Sequence, residues 1–163
     1  DVVKFYQLLA LTHTEPSVPN PFFYVSSSEW NLYDDLNEFF KHNGLPKGAF
    51  LLNNIKKWHQ LLKTGKTKHE GKLIRVTRIL KAFPRQRFIL LGDNSQSDPQ
   101  IYASIANKYP EQIVAVYIRN ISLEKEEFTT ETLNSIQNKF IKTFQSQLTD
   151  QAIQHAKSIG LLV

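Results

Sequence analysis

Four short apolar runs recur along the chain, each bounded by polar or turn-forming residues. They cover residues 22–25 (FFYV), 49–52 (AFLL), 87–91 (RFILL) and 113–118 (IVAVYI). Short, continuously apolar runs of this kind are typical of strands that are buried on both faces of a sheet. Because helical patterns separate the runs, they predict an α/β protein with a parallel sheet covered by helices on both faces.

The intervening segments show the three-to-four-residue apolar spacing of amphipathic helices. Ser28 is the predicted N-cap of one of them, and Asn43-Gly44 ends it. Residues 64–71 (TGKTKHEG) predict a polar, basic loop, and no repeat or linker divides the chain, so we expect one domain over 1–163. The predicted helices cover residues 1–11, 28–42, 55–63, 73–83, 98–109, 133–144 and 152–159.

Composition narrows the classes of protein that the chain can belong to. It has 163 residues, 20 Lys+Arg against 15 Asp+Glu and a formal net charge of +5, which favours phosphates, acidic lipids or nucleic acid as partners. The absence of cysteine excludes a disulfide scaffold, Cys-ligated zinc and thiol catalysis. No apolar run approaches the roughly 18–20 residues that a membrane-spanning helix needs, so we expect a cytoplasmic protein that at most lies at the periphery of membranes.

The strongest candidate site is the segment that follows the third apolar run. Ligands of parallel α/β sheets bind beyond the carboxyl ends of the strands, and Gly92, Asp93 and Asp98 lie there. Gly92 allows a sharp turn, and two carboxylates on one loop suit a hard cation such as Mg²⁺. The alternative is structural: Asp93 stabilises a turn, and Asp98 caps a helix that has Pro99 at its first position.

Hydroxyl groups follow the first apolar run. The hydroxyls of Ser26 and Ser27, with the free amides of a following helix N-terminus, would hold a phosphate, whereas we assign Ser28 to capping.

Cations follow the second and fourth runs. Lys72 is predicted at a helix start, where a positive charge opposes the macrodipole and needs a reason such as a bound phosphate. Lys66 and Lys68 are expected to be solvated charges, and His69 has no spaced partner that would make a metal site. Arg119 ends the fourth run, where it would pair with an anion or form a structural ion pair.

Longer segments resemble one family of phosphatases. They are residues 21–34 (PFFYVSSSEWNLYD), 43–48 (NGLPKG), 72–73, 79–80, 83–84, 88–102 (FILLGDNSQSDPQIY), 116–119 (VYIR) and the helix near 152–161. This pattern resembles the catalytic domain shared by fungal actin-patch phosphatidate phosphatases and their bacterial relatives, over nearly the whole chain. That family is similar to the haloacid dehalogenase-like (HAD-like) superfamily of Mg²⁺-dependent phosphotransferases, which implies a HAD-like, Rossmann-like sheet.

The resemblance also implies roles for single residues. Ser26 would bind the transferring phosphoryl group, Lys72 would offset the charge of an aspartyl-phosphate, and Asp93 would hold Mg²⁺ with Asp98 as its outer partner. The residues expected to bind phosphate or substrate are Ser27, His69, Asn94 and Arg119. Members of the family often have His immediately before the lysine; here that position is Gly71, and either His69 substitutes for it or the substrate pocket differs.

The superfamily nucleophile lies in a D-x-D-x-T motif, and this sequence contains none. The resemblance places that motif upstream of Asp1, on a strand between those at 22–25 and 87–91. Without this strand, both neighbours would leave backbone groups unpaired, at about 1–3 kcal/mol for each. We therefore expect a preceding segment, or its equivalent from a partner, to complete the sheet, in agreement with a chain that begins at Asp1 and has no methionine.

These observations favour a Mg²⁺-dependent phosphatase that works through an aspartyl-phosphate. Its substrate would be phosphatidate at an anionic membrane surface or a soluble phosphomonoester. The alternative is a non-catalytic module that binds phosphate or lipid and keeps the site without the nucleophile. Nucleic acid is not expected as a partner, because the basic residues are not interleaved with aromatic ones.

Overall fold

A computed structural model of the chain describes residues 2–15, 17–53 and 68–163, except the side chains of residues 68 and 69. Helices and strands alternate along most of it, as the sequence predicts. The helices are α1 (Val2–Leu11), α2 (Tyr33–His42), α3 (Lys68–Ala82), α4 (Asp98–Lys108), α5 (Glu126–Asn134) and α6 (Thr149–Ser158). The strands are β1 (Phe22–Glu29), β2 (Gly48–Asn53), β3 (Phe88–Asp93), β4 (Ile113–Arg119) and β5 (Lys142–Ser146).

The described strands form two parallel sheets instead of the single sheet that the sequence predicts. β1 pairs with β2 in one sheet, and the other has the order β3-β4-β5. Parallel strands that alternate with helices confirm the α/β class, whereas the HAD-like arrangement stays a prediction. The chain divides into an N-terminal unit (Asp1–Arg75 with Ala156–Val163) and a central unit (Val76–His155).

The central unit is built around β4. Ala115 and Val116 have no exposed surface, and Ile118 is almost as deeply buried. A strand with a neighbour on each side and apolar residues on both faces is expected to be the most buried element of a parallel sheet. The pattern in 113–118 therefore predicted its environment correctly.

The N-terminal unit has a thinner core. None of the residues of β1, β2 or α2 is fully buried, so the prediction that 22–25 and 49–52 are buried on both faces was wrong. The physical reason is that the described part of this sheet has only two strands. Its aromatic rings pack on one another: Tyr24 meets Phe40 edge-on, with ring centres 4.6 Å apart, and Phe50 lies 5.2 Å from Tyr24.

The tail differs from the sequence prediction. A helix was predicted over 133–144, but α5 ends at Asn134 and residues 142–146 form β5. The prediction was wrong because Phe140, Ile141 and Phe144 match a helical period only over a short window. Parallel pairing with β4 satisfies the outer backbone edge of that strand, which a helix could not do. The second predicted tail helix is confirmed as α6, and the predicted helix at 55–63 lies outside the described residues.

Candidate functional site

The serine segment belongs to β1 rather than to a loop before a helix. The pairing of β1 with β2 shifts register between Val25 and Glu29, so Ser26, Ser27 and Ser28 leave the regular ladder. Within this bulge, the Ser28 backbone N–H donates to Ser26 Oγ at 3.1 Å, and the Ser26 hydroxyl donates to Ser28 Oγ at 3.0 Å. Ser27 is exposed.

Ser28 does not cap the following helix. A 3₁₀ turn at Trp30–Leu32 comes between, and α2 starts at Tyr33 with Leu32 at the N-cap position. The capping prediction was wrong because the strand continues four residues past Val25, to Glu29. A phosphate at this segment would therefore meet serine hydroxyls, not the amides of a helix N-terminus.

The predicted lysine lies further inside its helix than the sequence suggested. α3 begins at Lys68, which makes Lys72 its fifth residue and leaves part of the predicted 64–71 loop helical. Lys72 is half-buried. His69 lies in the first turn, but its side chain is outside the described residues, so its predicted role is not tested by the geometry.

Arg75 is a residue that the sequence reasoning missed. Its Nη2 donates to the backbone carbonyl of Ser26 at 3.2 Å, which fixes α3 beside the serine segment. Since Lys72 precedes Arg75 by three residues, both side chains project from the same side of α3. Burial lowers the pKa of Arg75. The i, i+3 spacing from Lys72 was the available signal, but nothing local indicated contact with Ser26.

The Asp98 carboxylate turns back toward the backbone of Asp93, which is the last residue of β3. Asp93 Oδ1 accepts hydrogen bonds from the Ser95 hydroxyl and from the Ser95 backbone N–H, the latter at 2.8 Å. The Asp93 backbone N–H points to Asp98 Oδ2 at 3.4 Å. Asp98 is the first residue of α4, Pro99 lies in the first turn, and Ser97 stands at the N-cap position. Asp98 therefore does not cap the helix as predicted, since its carboxylate turns back toward Asp93.

Gly92 makes this approach possible. A Cβ at that position would lie 2.5 Å from Asp98 Oδ2 and 2.7 Å from the ring of Tyr102. The Tyr102 hydroxyl donates to the carbonyl of Leu91 at 2.9 Å, so the ring is fixed in place. The glycine is therefore required for close packing as well as for the turn.

Asn94 braces two loops of the central unit. Its Nδ2 donates to Asn120 Oδ1 at 2.5 Å and to the carbonyl of Ser122 at 2.8 Å. Its Oδ1 accepts the backbone N–H groups of Ile121 and Ser122, both at 2.8 Å. The residue has no exposed surface, so this geometry assigns it a structural role. Contact between Asn94 and a substrate stays a prediction. It would require some of these hydrogen bonds of Asn94 to break, because the side chain is buried.

Arg119 lies next to Asp93 at the carboxyl ends of β3 and β4, since the two residues are paired in the register of these strands. Its side chain is exposed and forms no ion pair with any residue that the structure describes. Lys125, which the sequence reasoning did not select, donates from Nζ to the carbonyl of Ser95 at 2.6 Å. Two cations therefore accompany the loop that carries Asp93 and Asp98.

The donor set on this loop suits magnesium. Within the described ranges, no group of three His, Asp or Glu side chains converges as a metal site would. Mg²⁺, however, is commonly held by one or two carboxylates together with waters and substrate phosphate oxygens. Asp93 and Asp98 provide hard carboxylate oxygens at the end of a parallel strand, and so they fit this cation.

The predicted residues thus fall into two groups. The N-terminal unit carries the "cation–serine cluster", which consists of Ser26, Ser27, Lys72 and the unpredicted Arg75. The central unit carries the "acidic loop", which consists of Asp93 and Asp98 with Arg119 alongside. No described helix is both long enough and apolar enough to cross a bilayer.

Comparisons with known proteins relate the chain to one family. The family model for the catalytic domain of phosphatidate phosphatase APP1 matches residues 1–120. Phosphatidate phosphatase APP1 of Saccharomyces cerevisiae is 31% identical over 120 residues, which cover 72% of this chain and 20% of that protein. An uncharacterized protein of Schizosaccharomyces pombe is 28% identical over 100 residues, or 60% of this chain and 16% of that protein.

The chain therefore spans a fifth or less of the length of these curated relatives. No solved structure matches it significantly. The family match includes β1 and the acidic loop and extends through most of the described elements. On this evidence, the chain belongs to the family of the phosphatidate phosphatase APP1 catalytic domain.

Proposed function

We propose that this chain provides most of the catalytic domain of a Mg²⁺-dependent phosphatase that hydrolyses a phosphomonoester. The acidic loop carries the proposal, because Asp93 ends a parallel strand and the Asp98 carboxylate lies 3.4 Å from the backbone N–H of Asp93. This loop lies in the region that matches the phosphatidate phosphatase family. Phosphatidate is the substrate named for the yeast relative, and a soluble phosphomonoester is the other candidate.

Each group of residues has a distinct role in the proposed reaction. Ser26 and Lys72 bind oxygens of the phosphoryl group, and the positive charge of Lys72 offsets the negative charge there. Asp93 and Asp98 would hold Mg²⁺, and the bound cation would supply further charge neutralisation. Ser27, Asn94, Arg119 and His69 are proposed to contribute to phosphate or substrate binding, with Asn94 acting through the loops that it braces.

The nucleophile is proposed to be an aspartate in sequence that precedes Asp1. Its carboxylate oxygen forms a bond to phosphorus as the ester bond to the leaving alcohol breaks, and the alcohol takes up a proton. Water then attacks the aspartyl-phosphate, which releases phosphate and restores the carboxylate. In support, β1 and β3 each have a single partner among the described strands, so each offers a backbone edge to a further strand.

The charge of the chain supports an anionic substrate surface. A net charge of +5 favours approach to acidic lipids, although it does not distinguish them from soluble phosphate esters. Phosphate release from phosphatidate vesicles should therefore be compared with release from a soluble phosphomonoester, with and without Mg²⁺, using the full-length protein.

The decisive variant is Asp93→Asn. We expect it to lower Mg²⁺-dependent phosphate release at least about a hundredfold, because it removes a charged ligand from the reacting centre. Asp150→Asn is the matched control, since Asp150 is exposed on α6. Lys72→Ala is expected to show a similar loss, with the exposed Lys81 of the same helix mutated to Ala as its control. Unchanged Mg²⁺-dependent release by Asp93→Asn would rule out the mechanism.

A non-catalytic binding module is the second candidate. The observation that favours it is that the cations and carboxylates of this chain are of the kind that binds a phosphate, whereas the nucleophile is proposed for sequence outside it. Full-length protein that binds inorganic phosphate but releases none from either substrate would support this function and exclude the enzyme.

A further inference from the structure

Arg75 is a half-buried charged side chain that forms one hydrogen bond to the residues that the structure describes. A guanidinium carries five N–H groups and no acceptor. In the part of the chain that the structure describes, Arg75 makes a single hydrogen bond, from Nη2 to the carbonyl of Ser26. Its Nε is buried and has no partner among the described atoms. The guanidinium is thus tied to the serine segment while at least one of its donors remains unsatisfied.

The positive charge of Arg75 is also uncompensated. No carboxylate of the described residues forms an ion pair with it, and the neighbouring Glu70 is exposed. Burial lowers the pKa of Arg75, because loss of water disfavours the charged form. Arg75 is half-buried with its Nε wholly buried, and a cation withdrawn from water in this way is normally paired with an anion, which a neutral carbonyl does not replace.

The location of the guanidinium points to the missing anion. Helical side chains lean toward the helix N-terminus, and Arg75 reaches back one turn along α3, where a Cβ built on Gly71 would lie 3.4 Å from its Nη1. This is an ordinary van der Waals distance, so the guanidinium lies against the turn of α3 that contains Gly71. Lys72 projects from the same side of the helix, so a second cation accompanies the guanidinium that contacts the Ser26 carbonyl.

We propose that Arg75 is a second phosphate-binding cation of the cation–serine cluster, acting beside Lys72 on the same phosphoryl group. This inference rests on the proposed function, because it assigns a further residue to the same substrate. The planar fork of an arginine holds phosphate oxygens through paired, charge-assisted hydrogen bonds, which a lysine cannot reproduce. The contact with Ser26 then has a second consequence, since it holds the fork beside the hydroxyl that binds the same group.

The inference is tested by measuring the binding of inorganic phosphate to the full-length protein with isothermal titration calorimetry. We expect Arg75→Ala to raise the dissociation constant about tenfold or more, and Arg75→Lys to show a smaller increase. Arg78→Ala is the matched control, because Arg78 is exposed three residues later on the same helix. Equal phosphate affinity in wild type and folded Arg75→Ala would overturn the proposal.

Chemical rescue separates phosphate binding from a purely structural role. Guanidinium ion at millimolar concentration is expected to restore phosphate binding to Arg75→Ala, whereas urea, a neutral molecule of the same shape, should not. Equal rescue by both would overturn the proposal. If Arg75→Ala does not fold, the phosphate affinities of Arg75→Lys and Arg75→Gln are compared instead. Tighter phosphate binding by the lysine variant supports a role for the positive charge. Equal affinity of the two variants contradicts the proposal.

The binding experiment does not depend on turnover. Arg75-dependent phosphate binding without phosphate release would leave this inference standing and defeat the proposed enzyme. Mg²⁺-dependent release by the wild type, with unaltered phosphate affinity in Arg75→Ala, would defeat the inference and leave the enzyme intact.

Discussion

Each unit of the chain has one described side-chain donor that is buried without a partner, and the two donors differ in charge. In the central unit, both donors and both acceptor sites of the Asn94 side chain are used, and Asn120 Nδ2 is the one described side-chain donor there that is buried without a partner. In the N-terminal unit, the buried Nε of Arg75 has no described partner, and the charge is not neutralised. A network such as that of Asn94 stabilises the fold, whereas the donor without a partner in the N-terminal unit belongs to a charged group, for which we propose a ligand.

The same contrast extends to the apolar cores. β4 is almost wholly buried, whereas no residue of β1 or β2 is. Since buried apolar area is the main source of stability, the central unit should contribute most of the free energy of unfolding. Substitutions in the central unit should therefore act mainly on stability, and those in the cation–serine cluster mainly on binding.

The largest effect on stability is expected from Asn94→Ala. The substitution leaves the backbone N–H groups of Ile121 and Ser122 without their acceptor in a buried place. We expect the free energy of unfolding to fall by about 3 kcal/mol, measured by urea denaturation. Gln96→Ala is the control, because Gln96 is exposed on the same loop. Similar losses for the two variants would contradict the bracing role of Asn94.

A pair of glycine substitutions compares the two units directly. Gly92→Ala would place Cβ against Asp98 and Tyr102, and we expect a loss of about 1–3 kcal/mol in the free energy of unfolding. Gly71→Ala meets only the Arg75 guanidinium at 3.4 Å and lies inside α3, so we expect it to be neutral or to stabilise by up to about 1 kcal/mol.

Two quantities should be measured for both glycine variants and compared with those of the wild type: the free energy of unfolding, from thermal and urea denaturation, and the affinity for phosphate. Gly92→Ala is expected to lower stability and to disturb the acidic loop, whereas Gly71→Ala should leave stability unimpaired. Equal destabilisation by the two substitutions would remove the proposed contrast between a closely packed acidic loop and less crowded surroundings at Gly71.

The smallest effect concerns the pH dependence of stability. His155 stacks on Phe144 with ring centres 4.2 Å apart, and its Nδ1 lies 2.9 Å from the Tyr117 hydroxyl. Burial, with a smaller contribution from Lys142, lowers the pKa of His155 below its ordinary value of 6.5. The unfolded chain therefore binds this proton more readily than the folded chain does, and stability is lost as the pH falls below about 6.5.

Because His155 is only partly buried, solvent screening should limit this effect to about a few tenths of a kcal/mol. Urea denaturation between pH 5 and pH 8 measures it, and His155→Gln should flatten the slope. His42→Gln is the matched control on the exposed surface of α2. A slope that survives in His155→Gln would assign the pH dependence to another group.

Local patterns in the sequence predicted much of this structure. The four apolar runs are strands, and the glycine-to-aspartate segment after the third run is the loop that carries two carboxylates. These features depend on residues close together in the chain, such as Gly92 and Asp98, so periodicity and turn chemistry are sufficient to predict them.

Errors arose where a long-range contact overrides a local pattern. Ser28 looked like a helix cap, but pairing with β2 continues β1 as far as Glu29. Likewise, residues 142–146 form a strand because they complete the edge of β4, although their apolar spacing favoured a helix. Pairing of backbone groups with a distant strand decides such segments, and a short window of sequence does not contain that information.

The sequence by itself determined the α/β class, the family and the identity of the two carboxylates, together with Ser26 and Lys72 as candidates. Only the tertiary structure showed that Asn94 is a buried brace and that Arg75 reaches Ser26. The physical reason is that both depend on contacts between residues far apart in sequence, 49 positions in the case of Arg75 and Ser26. Folding brings such groups together and decides which of their donors remain free for a ligand.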